Sequence, residues 1–434
     1  MAPGLMPHRR WVRVLGATAI IAVGFSALAG CSNANSSSGS DKPDNGTSLT
    51  MWARKTDGDL PVKIVDAYNK GHKNQIKLTV IPSDSYQQKV GAAASASSLP
   101  DILASDVVYS PNYVKQGLYA DITKQVKGLS FYDNLAKAHS EAASKDGKIY
   151  GVPFVVDSSL IIYNKTLFKQ AGLDPETPPA SFDDIYKDAK AIRDKVGGDT
   201  YGFYWAGNCA GCNAYTMFGY AAAAQQAPFQ KDGTKANFDS SSLNATLSLY
   251  KKLTDEGIAP AGVKTEDGSN WAASFNAGKV GILPIGSFDF GALAEAKFDW
   301  GVAGLPSPDG GRTGTFVGGD VIGITHNTKH TAQAWDFLSW LLGKDAQVNV
   351  IAKSGNLPVR VDFADNEYSA KDPRIVQTVK GLATGYTPSS VQYGALINDA
   401  NGPWLKAIRD YVFNGDPSSL KKAEQSMQSA LDQG

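Results

Sequence analysis

The 434-residue chain has only three cysteines and five scattered histidines, and it contains no H-E-x-x-H pair, so a helical zinc site of the hydrolase kind has no ligands. His326 and His330 are four apart but straddle an expected strand-to-helix turn. None of the Gly-Lys pairs at Gly147, Gly278 and Gly343 is followed by Ser or Thr, which removes a phosphate-cradling P-loop, and no G-x-S-x-G elbow raises a serine nucleophile. No block of Lys or Arg is present, and 42 basic residues balance 42 acidic ones, so there is no concentrated basic surface for a nucleic acid. Neither a metal nor a cofactor is expected. Past residue 30, no apolar run reaches the ~20 residues a spanning helix needs.

What is there begins with an export signal. Arg9, Arg10 and Arg13 precede an apolar run from Val14 to Leu28, and the segment closes on Leu28-Ala29-Gly30-Cys31. Small residues directly before Cys31 make this a lipobox, with residues 1–30 removed and the Cys31 thiol carrying the lipid. Removing residues 1–30 leaves 39 basic against 42 acidic residues. Residues 31–48 are then read as the lipidated cysteine and a Ser-, Asn- and Gly-rich tether. The remaining pair, Cys209 and Cys212, is spaced C-x-x-C. Outside the membrane that spacing reads as a local disulfide; a redox motif is the alternative, and a zinc site would need two further ligands that are not nearby.

About 400 mature residues exceed what one core organises, so two lobes are expected. Strands at 49–53, 76–82 and 101–104 alternate with helices at 60–69, 86–96 and 111–116, the pattern of parallel βαβ units. The alternation resumes with an extended run at 152–163, a helix at 181–194 capped by Ser181, a strand at 201–205, helices at 214–224, 241–256 and 271–277, and a strand at 280–285. Residues 298–305 and 317–325 are extended, and 330–342, 344–353, 403–413 and 418–431 are helical.

Six runs, taken in order, resemble one family. They are LPDILASDVVYSPNYVKQGLYADIT from Leu99, YGVPFVVDSSLIIYNKTLFKQAGLDPETPPASFDDI from Tyr150, FNAGKVGILPIGSF from Phe275, VGGDVIGIT from Val317, AWDFLSWLLGKDAQ from Ala334 and SGNLPVR from Ser354. Together they are similar to extracellular solute-binding proteins of family 1, the carbohydrate-binding lipoproteins of ATP-driven (ABC) importers, actinobacterial members in particular. The resemblance implies an α/β, two-lobed, periplasmic-binding-protein-like fold of type II, with a ligand cleft between hinge-connected lobes. It places lobe 1 at 49–155 plus 317–356 and lobe 2 at 156–316 plus 357–434, with crossings near 153–157, 315–318 and 357–359. The implied function is non-enzymatic capture of a mono- or oligosaccharide by a monomer that hands it to a membrane permease. A receptor for a non-sugar solute and a secreted glycosidase are the alternatives.

A sugar offers a ring of hydroxyls and an apolar face, so its site needs flat aromatic plates beside fixed polar groups. Trp52 and Arg54 end the first strand, where a parallel sheet opens toward ligands; a core place for Trp52 is the competing reading. Asp106 matches the family's hydroxyl-accepting acid, or else caps the following helix. Asp157 and Ser159 stand at the first hinge, to reach the cleft or to brace the crossover. Tyr204, Trp205 and Asn208 form an aromatic loop beside the cysteine pair. Phe288 replaces a tryptophan common in relatives. Gly319 and Asp320 mark the second crossover, and Asn356 the third. Gln392, Tyr393 and Trp404 are weaker candidates, and Trp271 is read as core.

Overall fold

The computed structural model describes residues 43–230 and 233–433. The signal segment and Cys31 lie outside the described residues. Among these no helix is long and apolar enough to cross a membrane.

The folded body starts earlier than the tether reading allowed. The carboxylate of Asp44 accepts from the amides of Lys73 and Asn74 at 3.1 and 2.7 Å, and Asn74 Oδ1 accepts from the amides of Asn45, Gly46 and Thr47. Asn74 is fully buried, and these backbone donors satisfy it, so residues 43–47 are tied down rather than free.

Strand β1 (Ser48–Arg54) buries Leu49, Met51 and Ala53 on one face, as a period of two requires. It pairs in parallel with β2 (Gln75–Ile81) and β3 (Ile102–Asp106), which follow helices α1 (Leu60–Gly71) and α2 (Ser83–Ser95). Strand β4 (Val152–Asn164) is 13 residues long and almost wholly buried. Farther on come β5 (Tyr201–Phe203), β6 (Val280–Gly286), β7 (Trp300–Ala303) and β8 (Val317–Ile324). The sheet order is β2-β1-β3-β8-β4-β6-β5, with β7 also on β4.

One strand serves both halves of this sheet. Residues Val152 to Ser158 of β4 pair with β8, and residues Ser159 to Tyr163 pair with β6. Each side has its own core. The first packs Met51, Ile64, Tyr68, Phe154, Ile322, Phe337 and Leu341; the second packs Phe168, Ile185, Phe203, Phe218, Tyr250, Leu283 and Trp404. Helix α3 (Phe182–Val196) shows why these segments are helical: Ser181 Oγ accepts from the Asp184 amide at 3.1 Å and donates to its carboxylate at 2.8 Å, and Phe182, Ile185, Ala189 and Ile192 form the buried stripe.

The third crossing is not at 357–359. Leu357, Val359, Ala364, Val379 and Leu382 all pack in the first core, while Tyr393, Leu396 and Trp404 pack in the second, so the chain passes over between 382 and 393. The extended apolar run at 357–359 instead docks within the first half: the Val359 amide donates to Gln347 Oε1 at 2.8 Å, and its carbonyl accepts from the Ala136 amide. The helix expected at 271–277 shortens to Ala273–Asn276, leaving Trp271 in the turn before it. The segment Asp345–Ile351 is helical with a wider π-type turn.

Candidate ligand-binding cleft

Where β1 and β3 end, beside the β4–β8 crossover, lies a cleft of about 410 Å³. Its walls come from both halves. Arg54, Thr56, Asp106 and Val108 belong to the first; Gly211, Cys212, Tyr215, Trp271, Phe288, Tyr393 and Asn398 belong to the second; Asp157, Gly318 and Gly319 stand on the crossing strands, and Phe316 directly precedes β8. A larger hollow of about 720 Å³ around Glu424 and Gln428 has no aromatic side chain in its wall, so it lacks the means to hold a sugar face.

Arg54 is the electrostatic hub. Its Nε donates to Asp320 Oδ1 at 2.9 Å and its Nη1 to Asp106 Oδ2 at 2.9 Å, while Nη2 also reaches Asp320. Burial opposes the charge, yet the Asp106 and Asp320 carboxylates keep this guanidinium protonated well above the usual arginine range. Asp320 is fully buried and faces Asp106 directly across the β8–β3 ladder. Asp106 does both things weighed for it: Oδ1 accepts from the Val108 amide at 3.2 Å while Oδ2 takes the arginine. Burial pushes its carboxyl up, with Arg54 pulling the other way. Asp57, 3.9 Å from the same guanidinium, is driven far above the carboxylate range by burial and by the neighbouring Asp320.

Asp157 accepts a hydrogen bond from Tyr215, and burial pushes it up to about 6 although that hydrogen bond opposes the shift. Tyr215 sits on helix α4 (Ala210–Ala223), one turn beyond Gly211 and Cys212, which gives the cleft a single helical face. The glycines are there for close approach. Gly319 has φ +103°, and a Cβ on it would come within 2.1 Å of the Val155 carbonyl oxygen; one on Gly318 would lie 2.6 Å from Asp157 Oδ1. Phe288 is 58 % exposed at the mouth, and its ring centroid lies 6.2 Å from those of Tyr215 and Trp271.

Six of the residues named from the sequence therefore converge: Arg54, Asp106, Asp157, Phe288, Gly319 and Asp320. The others are placed elsewhere. Trp52 is half-buried against the small core of Ile81, Tyr86 and Leu103, under Lys89 Nζ at 4.9 Å, and forms no part of the wall. Ser159 is wholly buried and braces the crossover, its Oγ accepting from the Phe316 amide at 2.8 Å. Trp205 is core, 2 % exposed and packed between Tyr250 and Phe413. Tyr204 donates to Glu266 at 3.1 Å and Asn208 accepts from Arg409 at 2.6 Å, so both support a loop rather than face the cleft. Asn356 donates to the Ser354 carbonyl in a turn of the first half.

Among the weaker candidates Tyr393 lines the cleft, whereas Gln392 donates to the Ala430 carbonyl and Trp404 is core. Tyr215, Phe316 and Asn398 were missed, whereas Trp271 is buried in the second core, as read, and also presents an edge to the cleft. The spacing of Gly211, Cys212 and Tyr215 on one helical face could have signalled Tyr215; nothing in the sequence signals the cleft edge of Trp271. The sulfurs of Cys209 and Cys212 lie at bonding distance over the first turn of α4. Among the described residues no group of three His, Cys, Asp or Glu is placed to hold a metal.

The family model of the bacterial extracellular solute-binding proteins matches residues 52–348. The chain belongs to this family. Among its relatives, the diacetylchitobiose binding protein of Streptomyces coelicolor is 26% identical over 370 residues, covering 82% of this chain and 83% of that one. A Brucella abortus protein named only as a binding protein is 27% identical over 362 residues, covering 83% and 86%. Of solved structures, the cyclic α-maltosyl-1,6-maltose binding protein of Arthrobacter globiformis superposes with a TM-score of 0.77 at 25% identity, over 90% of this chain and 100% of that one. The two-lobed α/β architecture is thus that of a family of binding proteins.

Proposed function

We propose that this solute-binding protein captures an uncharged mono- or oligosaccharide in the cleft and delivers it to the transmembrane subunits of an ABC importer, making and breaking no bond. The observation that carries the reading is the division of the cleft wall: aromatic rings on one half, and a carboxylate–guanidinium cluster with fixed geometry on the other. Rings cover the apolar face of a sugar, while carboxylates accept from two hydroxyls at once. An anionic solute fits less well, because the one arginine in the wall is already engaged by Asp106 and Asp320. Closure follows when a ligand touches both halves, since contact with one half alone biases neither state.

The same reading includes a lipid on Cys31, attachment to the outer face of the membrane, a monomeric body, and an oxidised Cys209–Cys212 pair. Sugars named for the relatives, diacetylchitobiose and maltose-type glucans, define the first compounds to try. Thermal-shift screening of mono- and oligosaccharides, followed by calorimetry, tests the proposal: a binding sugar raises the melting temperature with its concentration. A panel in which no sugar shifts the transition, or in which the sugar is hydrolysed, would overturn it.

A further inference from the structure

The loop at 204–208 does not line the cleft; the bonded cysteines press instead on the loop around Gly268. Gly268 has φ +101°, and a Cβ on it would lie 2.9 Å from Cys212 Sγ and 3.1 Å from Cys209 Sγ. Only a residue without a side chain can rest on the two sulfurs in this conformation. Three residues on stands Trp271, 8 % exposed, packed in the second core with an edge in the cleft wall, its amide 3.4 Å from the Gly268 carbonyl and its buried indole Nε1 without a hydrogen-bond partner. Glu266 ties the loop down: Oε1 accepts from the amides of Gly268 and Asn270 at 2.9 and 3.0 Å, and Oε2 from Tyr204. On the other side Cys209 caps α4, its Sγ accepting from the Cys212 amide at 3.1 Å.

We infer that Trp271 is a ligand-stacking plate of the cleft and that the Cys209–Cys212 pair, through Gly268, is the seat that positions it. The ligand part of this inference rests on the sugar reading above; the positioning part does not. With the bond intact, the sulfurs form one rigid surface under Gly268, and Trp271 is held against Phe288 before any ligand arrives, which lowers the ordering cost of binding. Separate thiols would rotate independently and release the loop.

The experiment uses the full-length protein and two readouts. In the first, without ligand, tryptophan emission is followed while a phosphine reductant opens the bond, taking its two electrons from phosphorus as two thiols form. One of eight tryptophans carries the expected response, so the emission change is seen in the wild type and is lost in Trp271→Phe and in the Cys209→Ser/Cys212→Ser pair. An equal change in Trp271→Phe overturns the positioning. In the second, maltotriose, diacetylchitobiose and galactobiose are titrated by calorimetry. Trp271→Ala, the double serine variant and Gly268→Val each weaken whichever sugar binds by about tenfold, while far-ultraviolet circular dichroism stays native. Unchanged affinity in Trp271→Ala overturns the stacking role. If no sugar in the panel binds the wild type, the sugar reading and the stacking role fall together, while the emission readout still decides the positioning. Should Gly268→Val not fold, the serine pair, which leaves the backbone intact, decides it.

Discussion

Replacing Arg54 by methionine removes the cation while keeping the length of the side chain, and so isolates what the charge does at the head of the cleft. Two carboxylates then lose their partner. Asp320 has a fully buried side chain and Asp106 one that is 25% exposed, each 2.9 Å from a guanidinium nitrogen. Stripping one member from such a buried pair costs about 3–5 kcal/mol, because the remaining charge stays desolvated. The upper part of that range applies, since burial is near complete at Asp320 and a further acid, Asp57, adjoins the same site. The deficit has a definite pH dependence. Burial already raises Asp106 and Asp57 above their ordinary values, and without Arg54 the folded state binds protons more readily still. A group raised in the folded state contributes stability at low pH that is lost as pH climbs. Arg54→Met is therefore closer to wild type at pH 5 than at pH 8. Urea unfolding at both values, with Asp320→Asn and the double variant completing the cycle, measures the coupling. A deficit under about 1 kcal/mol, or a double variant as unstable as the two singles combined, would refute the account of Arg54 as the charge that permits Asp320 to be buried.

Two further outcomes are expected. Asp157, pushed up from 3.8 to about 6 chiefly by burial, contributes stability below its ordinary value that fades as pH passes 6, so the ligand-free protein loses on the order of 1 kcal/mol from this group between pH 5 and 7. Thermal unfolding across that range should show a slope that Asp157→Asn flattens; an identical slope in the variant sinks the assignment. Trp205→Ala should open a core cavity and cost about 3–5 kcal/mol, while sugar affinity at a temperature where the variant is folded stays unchanged, since Trp205 packs against Tyr250 and Phe413; weakened binding at native circular dichroism would return it to the cleft.

The strands and helices were legible because their burial follows period: Leu49, Met51 and Ala53 alternate, and Phe182, Ile185, Ala189 and Ile192 repeat at a helical interval. The charged part of the cleft was legible for a related reason. Arg54 and Asp106 end parallel strands whose carboxyl edges open to ligands, and a charged residue there has no place in a core. Aromatic residues carry no such mark. Trp205 and Trp271 both follow a strand or loop, both are more than nine-tenths buried and both pack in the second core; only Trp271 also reaches the cleft wall, and only tertiary packing separates them. The third crossing was misplaced because an apolar extended run such as 357–359 looks the same whether it changes halves or docks within one.

Strand β4 has a consequence for how the molecule is made. The first core needs β8, whose residues 317–324 arrive long after β1 to β3, and it needs Val379 and Leu382, which arrive later still. Pairings across so much intervening chain are slow to form. The half that is synthesised first therefore cannot finish folding until nearly nine-tenths of the polypeptide exists.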